Sequence, residues 1–136
     1  MTASSQVTVP GEPVLRIVLP CLPPRECSPN ARVHWRTRAS AASDAKIEVF
    51  AMILEQHPLA WRGNSSLLQQ AVVRFKYGLP DKRRRDLDNL IAASKPYLDA
   101  LVGLVIVDDS HRNITLEYSW FDSPKNPQTV IEVSMV

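Results

Sequence analysis

Asp81-Lys82-Arg83-Arg84-Arg85-Asp86-Leu87-Asp88-Asn89 places four adjacent cations directly before two carboxylates separated by one residue. Such cations repel one another and cost stability unless an anion answers them, and a phosphate backbone is the commonest such anion. The carboxylates open a helix, because over residues 86–102 the apolar side chains Leu87, Leu90, Ile91, Leu98 and Leu101 recur at helical spacing. The positive end of the helix dipole favours Asp86 or Asp88 there, and either can cap, which accounts for one aspartate better than for two. In extended or turn geometry the pair projects from one side of the chain, whereas deep inside a helix an i, i+2 pair diverges. They therefore converge only at the helix entrance. Pro96 should kink or restart the helix near Ser94, and Gly103 should stop it.

Downstream, residues 104–107 form a short apolar run that predicts a strand, with Asp108-Asp109 at its end. Hard cations such as Mg²⁺ take a few carboxylate oxygens plus waters and substrate phosphate, so Asp86, Asp88 and one of Asp108 or Asp109 would make a divalent site. The bland alternative is a solvated turn, for which Asp-Asp-Ser is good chemistry. Lys95, between the acidic pairs, is either a contact to phosphate or leaving group or an exposed lysine. Asp99 is either part of a solvated helical face or a residue that holds the site. Residues 114–121 and 129–136 read as two more strands.

Upstream, residues 67–77 alternate loosely around Val73 and Phe75 as a strand ended by Gly78 and Pro80, and residues 58–66 read as a connection. A helix capped by Ser40 or Ser43 should run to about residue 57 and bury Ile47, Phe50, Ala51 and Leu54. Before it, Pro20, Pro23, Pro24 and Pro29 exclude regular structure through Asn30. The fourteen residues 25–38 carry Arg25, Arg32, His34, Trp35, Arg36 and Arg38 against one acid, Glu26. That stretch is either a solvated loop or an arm that contacts phosphates. Residues 14–19 read as a first strand, and residues 1–13, rich in Ser, Thr and Pro, as a poorly ordered lead-in.

The expected order is β-α-β-α-β-β-β, one small α+β domain over residues 14–136 with a sheet covered by two helices. The length of 136 residues and 45% hydrophobic content suit one domain with its own core. Sixteen Lys and Arg against fourteen Asp and Glu give only +2, so any nucleic-acid signal lies in local clustering. Cys21 and Cys27 are too few for a disulfide scaffold, which suits a reducing cytoplasm. Their spacing, with only His34 nearby, does not make a zinc knuckle. There is no signal-peptide pattern and no apolar run of membrane-spanning length, so no membrane partner is expected.

Arg83-Arg84-Arg85-Asp86-Leu87-Asp88-Asn89-Leu90, then Lys95, Asp99-Ala100-Leu101 and Asp108-Asp109-Ser110, resembles the signature of the RusA family of Holliday-junction resolvases. The resemblance extends weakly upstream through Pro23-Pro24, Ser28-Pro29-Asn30-Ala31-Arg32 and Trp35-Arg36. It covers about residues 14–120 and is strong across 83–110. It implies a small α+β fold with a mixed sheet packed against two helices, a homodimer, and Mg²⁺-dependent (or Mn²⁺-dependent) cutting of four-way DNA junctions in recombination and repair. The family is commonly encoded by phages or prophages, which implies the cytoplasm of a bacterial or phage-infected cell. Asp86, Asp88 and Asp109 match its catalytic, metal-binding aspartates and Lys95 its catalytic lysine, while Asn89, Asp99 and Asp108 match further motif positions. Lys82, Arg83, Arg84 and Arg85, with Arg32, Arg36 and Arg38, would bind DNA.

One departure stands out: the family's lysine follows the Asp-x-Asp-Asn element within about one helical turn, while here it lies six residues beyond Asn89, before Pro96. Three extra residues nearly complete a turn and carry the lysine about 4.5 Å further along the axis, an offset that a π-bulge or a break near Ser94 would absorb. The rival readings are a junction-binding protein without turnover and a broader branched-DNA nuclease. An RNA-binding domain ranks last, because the acidic pairs repel RNA and no ribonucleoprotein aromatic motif is present.

Overall fold

The computed structural model describes residues 13–56 and 67–136, so the expected lead-in, apart from Pro13, and the whole 58–66 connection lie outside the described residues. The described chain is α+β, with four strands in one mixed sheet: β1 (Pro13–Leu19), β2 (Ala71–Leu79), β3 (Ile114–Asp122) and β4 (Gln128–Met135). Their spatial order is β1-β4-β2-β3. β4 runs antiparallel to both β1 and β2, whereas β2 and β3 are parallel. A parallel pair needs a crossover, and the segment after β2 supplies one as α2 (Leu87–Ala93) and α3 (Lys95–Leu101). The remaining helix is α1 (Trp35–Gln56), preceded by a 3-10 turn at Arg25–Cys27.

Alternation along the strands sorts the two faces. Leu15, Ile17, Val73, Phe75, Ile131 and Val133 are buried beneath the helices. Phe75 stacks on Tyr118 of the neighbouring strand, ring centroids 5.6 Å apart. The opposite face is polar: Glu132 takes Arg16 at 3.3 Å and Lys76 at 3.0 Å, and Arg74 meets Glu117 at 2.7 Å.

Three sequence expectations change. α1 begins at Trp35, ahead of both proposed serine caps, and buries Ala45, Val49 and Ile53. Ile47, Phe50 and Leu54, expected inside, are 60%, 42% and 59% exposed, and Ala51 is exposed too. The rotation of α1 is set by polar ties to the chain around β1. The Gln56 amide accepts from Val18 N and donates to Val18 O, both at 3.1 Å, and the Cys21 thiol donates to Glu48 at 3.5 Å. These ties turn the small and β-branched stripe, rather than the bulkiest one, toward the sheet.

Residues 104–107 do not join the sheet. They make isolated bridges, Ile106 to Leu68 and to Val102, behind the α3 terminus that Gly103 closes at φ 84°. Val105 and Ile106 are nonetheless fully buried, so the apolar run reflects core packing without a ladder. β2 starts later than expected and continues through Gly78. A Cβ there would lie 2.6 Å from Gln128 Cγ and 2.9 Å from Phe121 Cζ, so the glycine admits close packing inside the strand instead of ending it.

Candidate functional site

The expected break falls at Ser94. Its backbone N–H bonds to Ile91 O, which leaves Leu90 O to the Ser94 hydroxyl at 2.7 Å. That hydroxyl has one proton, so Tyr77 Oη, also 2.7 Å away and fully buried, is the donor in the second bond. Pro96 then occupies the first turn of α3, where its missing N–H is no loss. There is no π-bulge: the three extra residues are absorbed by ending one helix and starting another.

The break delivers Lys95 into an acidic pair. Its Nζ donates to Asp109 Oδ2 at 2.6 Å and lies 2.8 Å from Asp99 Oδ1. The Asp109 and then the Asp99 hydrogen bonds raise Lys95 above the ordinary lysine range. The Lys95 hydrogen bond in turn holds the Asp109 carboxyl below the usual aspartate range. Asp108 does not face the lysine in this contact; its Oδ1 accepts from the Asp109 backbone N–H at 2.8 Å and shapes the turn. Beside the pair, Phe75, Ile91, Leu98, Leu116 and Tyr118 line a cleft of about 300 Å³.

The other side of α2 opens on a larger cavity of about 650 Å³. Pro23, Pro24 and Asn30 of the proline-rich loop form one wall; Asp86, Asn89 and Leu90 form the other. Asn30 Nδ2 donates to Asn89 Oδ1 at 3.0 Å, which ties the loop to α2. Asp86 sits at the cap position in extended conformation without a capping bond from its side chain. Asp86 and Asp88 are both exposed, and neither carboxylate has a hydrogen-bond or ion-pair partner among the described residues.

The three proposed metal ligands are thus not gathered around one point: among the described residues no three His, Cys, Asp or Glu side chains stand close enough to hold a metal ion. The donor chemistry nevertheless fits a hard divalent cation, because Asp86 and Asp88 are uncommitted oxygen donors at one helix entrance. Asp109 is the committed one.

The cations also separate by role. Arg85 is held by Asp81 at 2.8 Å and is only 12% exposed, so it fastens the turn before α2. That contact is also the leading cause of Asp81 titrating below the ordinary range. Arg38 donates to Ala31 O at 2.9 Å and closes the upstream loop. Lys82, Arg83, Arg84 and Arg32 are exposed, with no ion pair among the described residues. Arg36 lies over the Trp35 ring, 5.3 Å from its centroid, and Trp35 is 67% exposed. Cys21 and Cys27 are free, and burial pushes both thiols up, which suits ordinary rather than nucleophilic cysteines. Sequence reasoning missed Ser94, Tyr77 and the Asn30 bridge to Asn89. No spacing rule connects residues 59 positions apart, although Asn30 lies in the upstream stretch that resembles the family.

No protein-family model matches the chain. A protein of Xylella fastidiosa described as uncharacterized is 31% identical over 88 residues, which is 64% of this chain and 56% of that one. The chain therefore spans little more than half the length of that relative. No helix among the described residues is long and apolar enough to cross a membrane.

Proposed function

We propose that the protein is a Holliday-junction resolvase of the RusA type, a structure-selective endodeoxyribonuclease that hydrolyses phosphodiesters at four-way DNA junctions with Mg²⁺ or Mn²⁺. The observation that carries the reading is that the Asp86 and Asp88 carboxylates, directly after a cation run whose Lys82, Arg83 and Arg84 side chains have no ion pair, are themselves without a partner among the described residues. Unpaired charges of both signs on adjacent residues favour a ligand that brings its own anions and metal.

Asp86 and Asp88 would hold the ion, which when bound would supply Lewis acidity and an ionised water, while Asp109, the third aspartate of the matched motif, is engaged by Lys95. Lys95 keeps its proton, because two carboxylates surround it, and so offers a fixed positive charge beside the phosphate. Lys82, Arg83 and Arg84, with Arg32 and Arg36, contact flanking backbone and set affinity without reading bases. Arg85 and Arg38 support these contacts by fastening the two loops. A four-way junction has two-fold symmetry, so a homodimer would present two sites to opposite strands. The setting is the cytoplasm of a bacterial or phage-infected cell.

The test is Asp86→Asn. This variant should bind a four-way junction as the parent does in EDTA or Ca²⁺ and should give no nicked product in Mg²⁺. Full cutting by the variant would remove the metal assignment. Salt-sensitive binding with no nick from the parent chain in Mg²⁺ or Mn²⁺ would leave a junction-binding protein in its place.

A further inference from the structure

The two edges of the sheet are treated differently. β1, at one edge, begins at Pro13 with a register irregularity, and the Gln56 amide occupies both backbone groups of Val18. β3, at the other edge, is nine residues long, without proline, lysine or bulge, and its register with β2 is unbroken from Ile114 to Asp122. A long edge strand of this kind is a template for another strand.

Backbone parity shows which groups are on offer. Ala71 N donates to Asn113 O at 3.0 Å and Ser123 N donates to Leu79 O at 2.8 Å, so odd-numbered residues turn their backbone groups to β2. The even-numbered Leu116, Tyr118 and Trp120 turn theirs outward. Leu116 and Trp120 also expose 38% and 52% of their surface on the helix-bearing side.

We propose that β3 pairs antiparallel with β3 of a second copy about a two-fold axis through Tyr118, giving a continuous eight-stranded sheet. Tyr118 is the middle residue of Ile114–Asp122, so this register uses the whole edge. Leu116 then faces Trp120 of the second copy, and every outward backbone group meets another. The charges agree. Glu117 faces Ser119, whereas an axis through Glu117 would oppose two carboxylates. The proposal deepens the resolvase reading, which asks for two chains, and names the surface they share. Both helix layers fall on one side of the joined sheet. The Lys95–Asp109 pairs therefore share that side, because their cleft is lined by Leu116 and Tyr118.

The experiment needs neither DNA nor metal, so failure of the nuclease reading does not touch it. Sedimentation should give twice the 15.2 kDa chain mass, and Trp120→Lys should lose the dimer with unchanged circular dichroism. Ile47→Glu with Leu54→Glu, on the exposed face of α1, should remain dimeric. Register is read by oxidation of Glu117→Cys mixed with Ser119→Cys. Those positions face each other at about 4.5 Å between Cα atoms, within disulfide reach. The mixture should cross-link and neither variant alone should, with the parent and its native thiols as blank. A monomeric parent, loss of the dimer only with the α1 changes, or cross-linking of either single variant alone would overturn the proposal.

Discussion

Removing the Ser94 hydroxyl should cost far more than removing the tyrosine hydroxyl bonded to it, and the two changes should partly cancel. Tyr77 and Ser94 are 0% and 2% exposed. In Tyr77→Phe, Ser94 keeps its bond to Leu90 O and loses only an accepted bond, about 1 kcal/mol. Ser94→Ala leaves two groups unpaired, the buried Tyr77 hydroxyl and the half-buried Leu90 O, at about 1–3 kcal/mol each, and the better helix propensity of Ala returns at most about 0.5. The net loss is about 3 kcal/mol, or roughly 12 °C in Tm at about 4 °C per kcal/mol, against about 4 °C for Tyr77→Phe. Adding Tyr77→Phe to Ser94→Ala deletes one orphan, so the double variant should be more stable than Ser94→Ala by about 1 kcal/mol. Urea and thermal unfolding of the four proteins read this double-mutant cycle. If Tyr77→Phe destabilises both backgrounds equally, or Ser94→Ala is the milder change, the proposed direction of these hydrogen bonds is wrong.

Lys95→Met should remove a stabilising contribution confined to a pH window. Asp109 is lowered, so its share is present above the ordinary aspartate value of 3.8 and is lost as pH falls through the lowered one. Lys95 is raised, so its share is present below 10.5 and is lost as pH rises through the raised value. The stability gap between parent and variant, about 0.5–1 kcal/mol for so exposed a pair, should be flat near neutrality and shrink at both extremes in pH-dependent unfolding. Arg84→Gln should lower the log–log salt slope of junction binding by about 1, because that exposed side chain has no ion pair among the described residues and can meet a phosphate. Arg85→Gln should leave the slope unchanged and instead lower stability, since its guanidinium is bound to Asp81.

The α+β class, the break at Ser94 and the stop at Gly103 were legible because proline, glycine and apolar spacing act locally. The rotation of α1 was not. Ile47, Phe50 and Leu54 form a good helical stripe by size, yet Gln56 and Glu48 fix the opposite side through bonds to Val18 and Cys21. Residues 104–107 have strand composition because they are buried, a property that packing against α3 satisfies without a ladder. Within the site, the acidic and basic residues were readable as a pattern but their pairings were not. Arg85 and Arg84 are neighbours in one run; the Asp81 carboxylate, which also accepts from the Arg83 backbone N–H, binds Arg85, whereas Arg84 has no ion pair among the described residues. Lys95 was the least conforming motif position, and the helix break brings it to Asp109.

Cleavage mapping tests the central claim most directly: a four-way junction labelled on each strand, and a linear duplex of matched sequence, incubated with the purified chain with and without Mg²⁺. The resolvase reading predicts paired nicks at symmetric positions on opposite strands of the junction, only with metal, and an intact duplex. Equal cutting of junction and duplex, or nicks unchanged in EDTA, would contradict it.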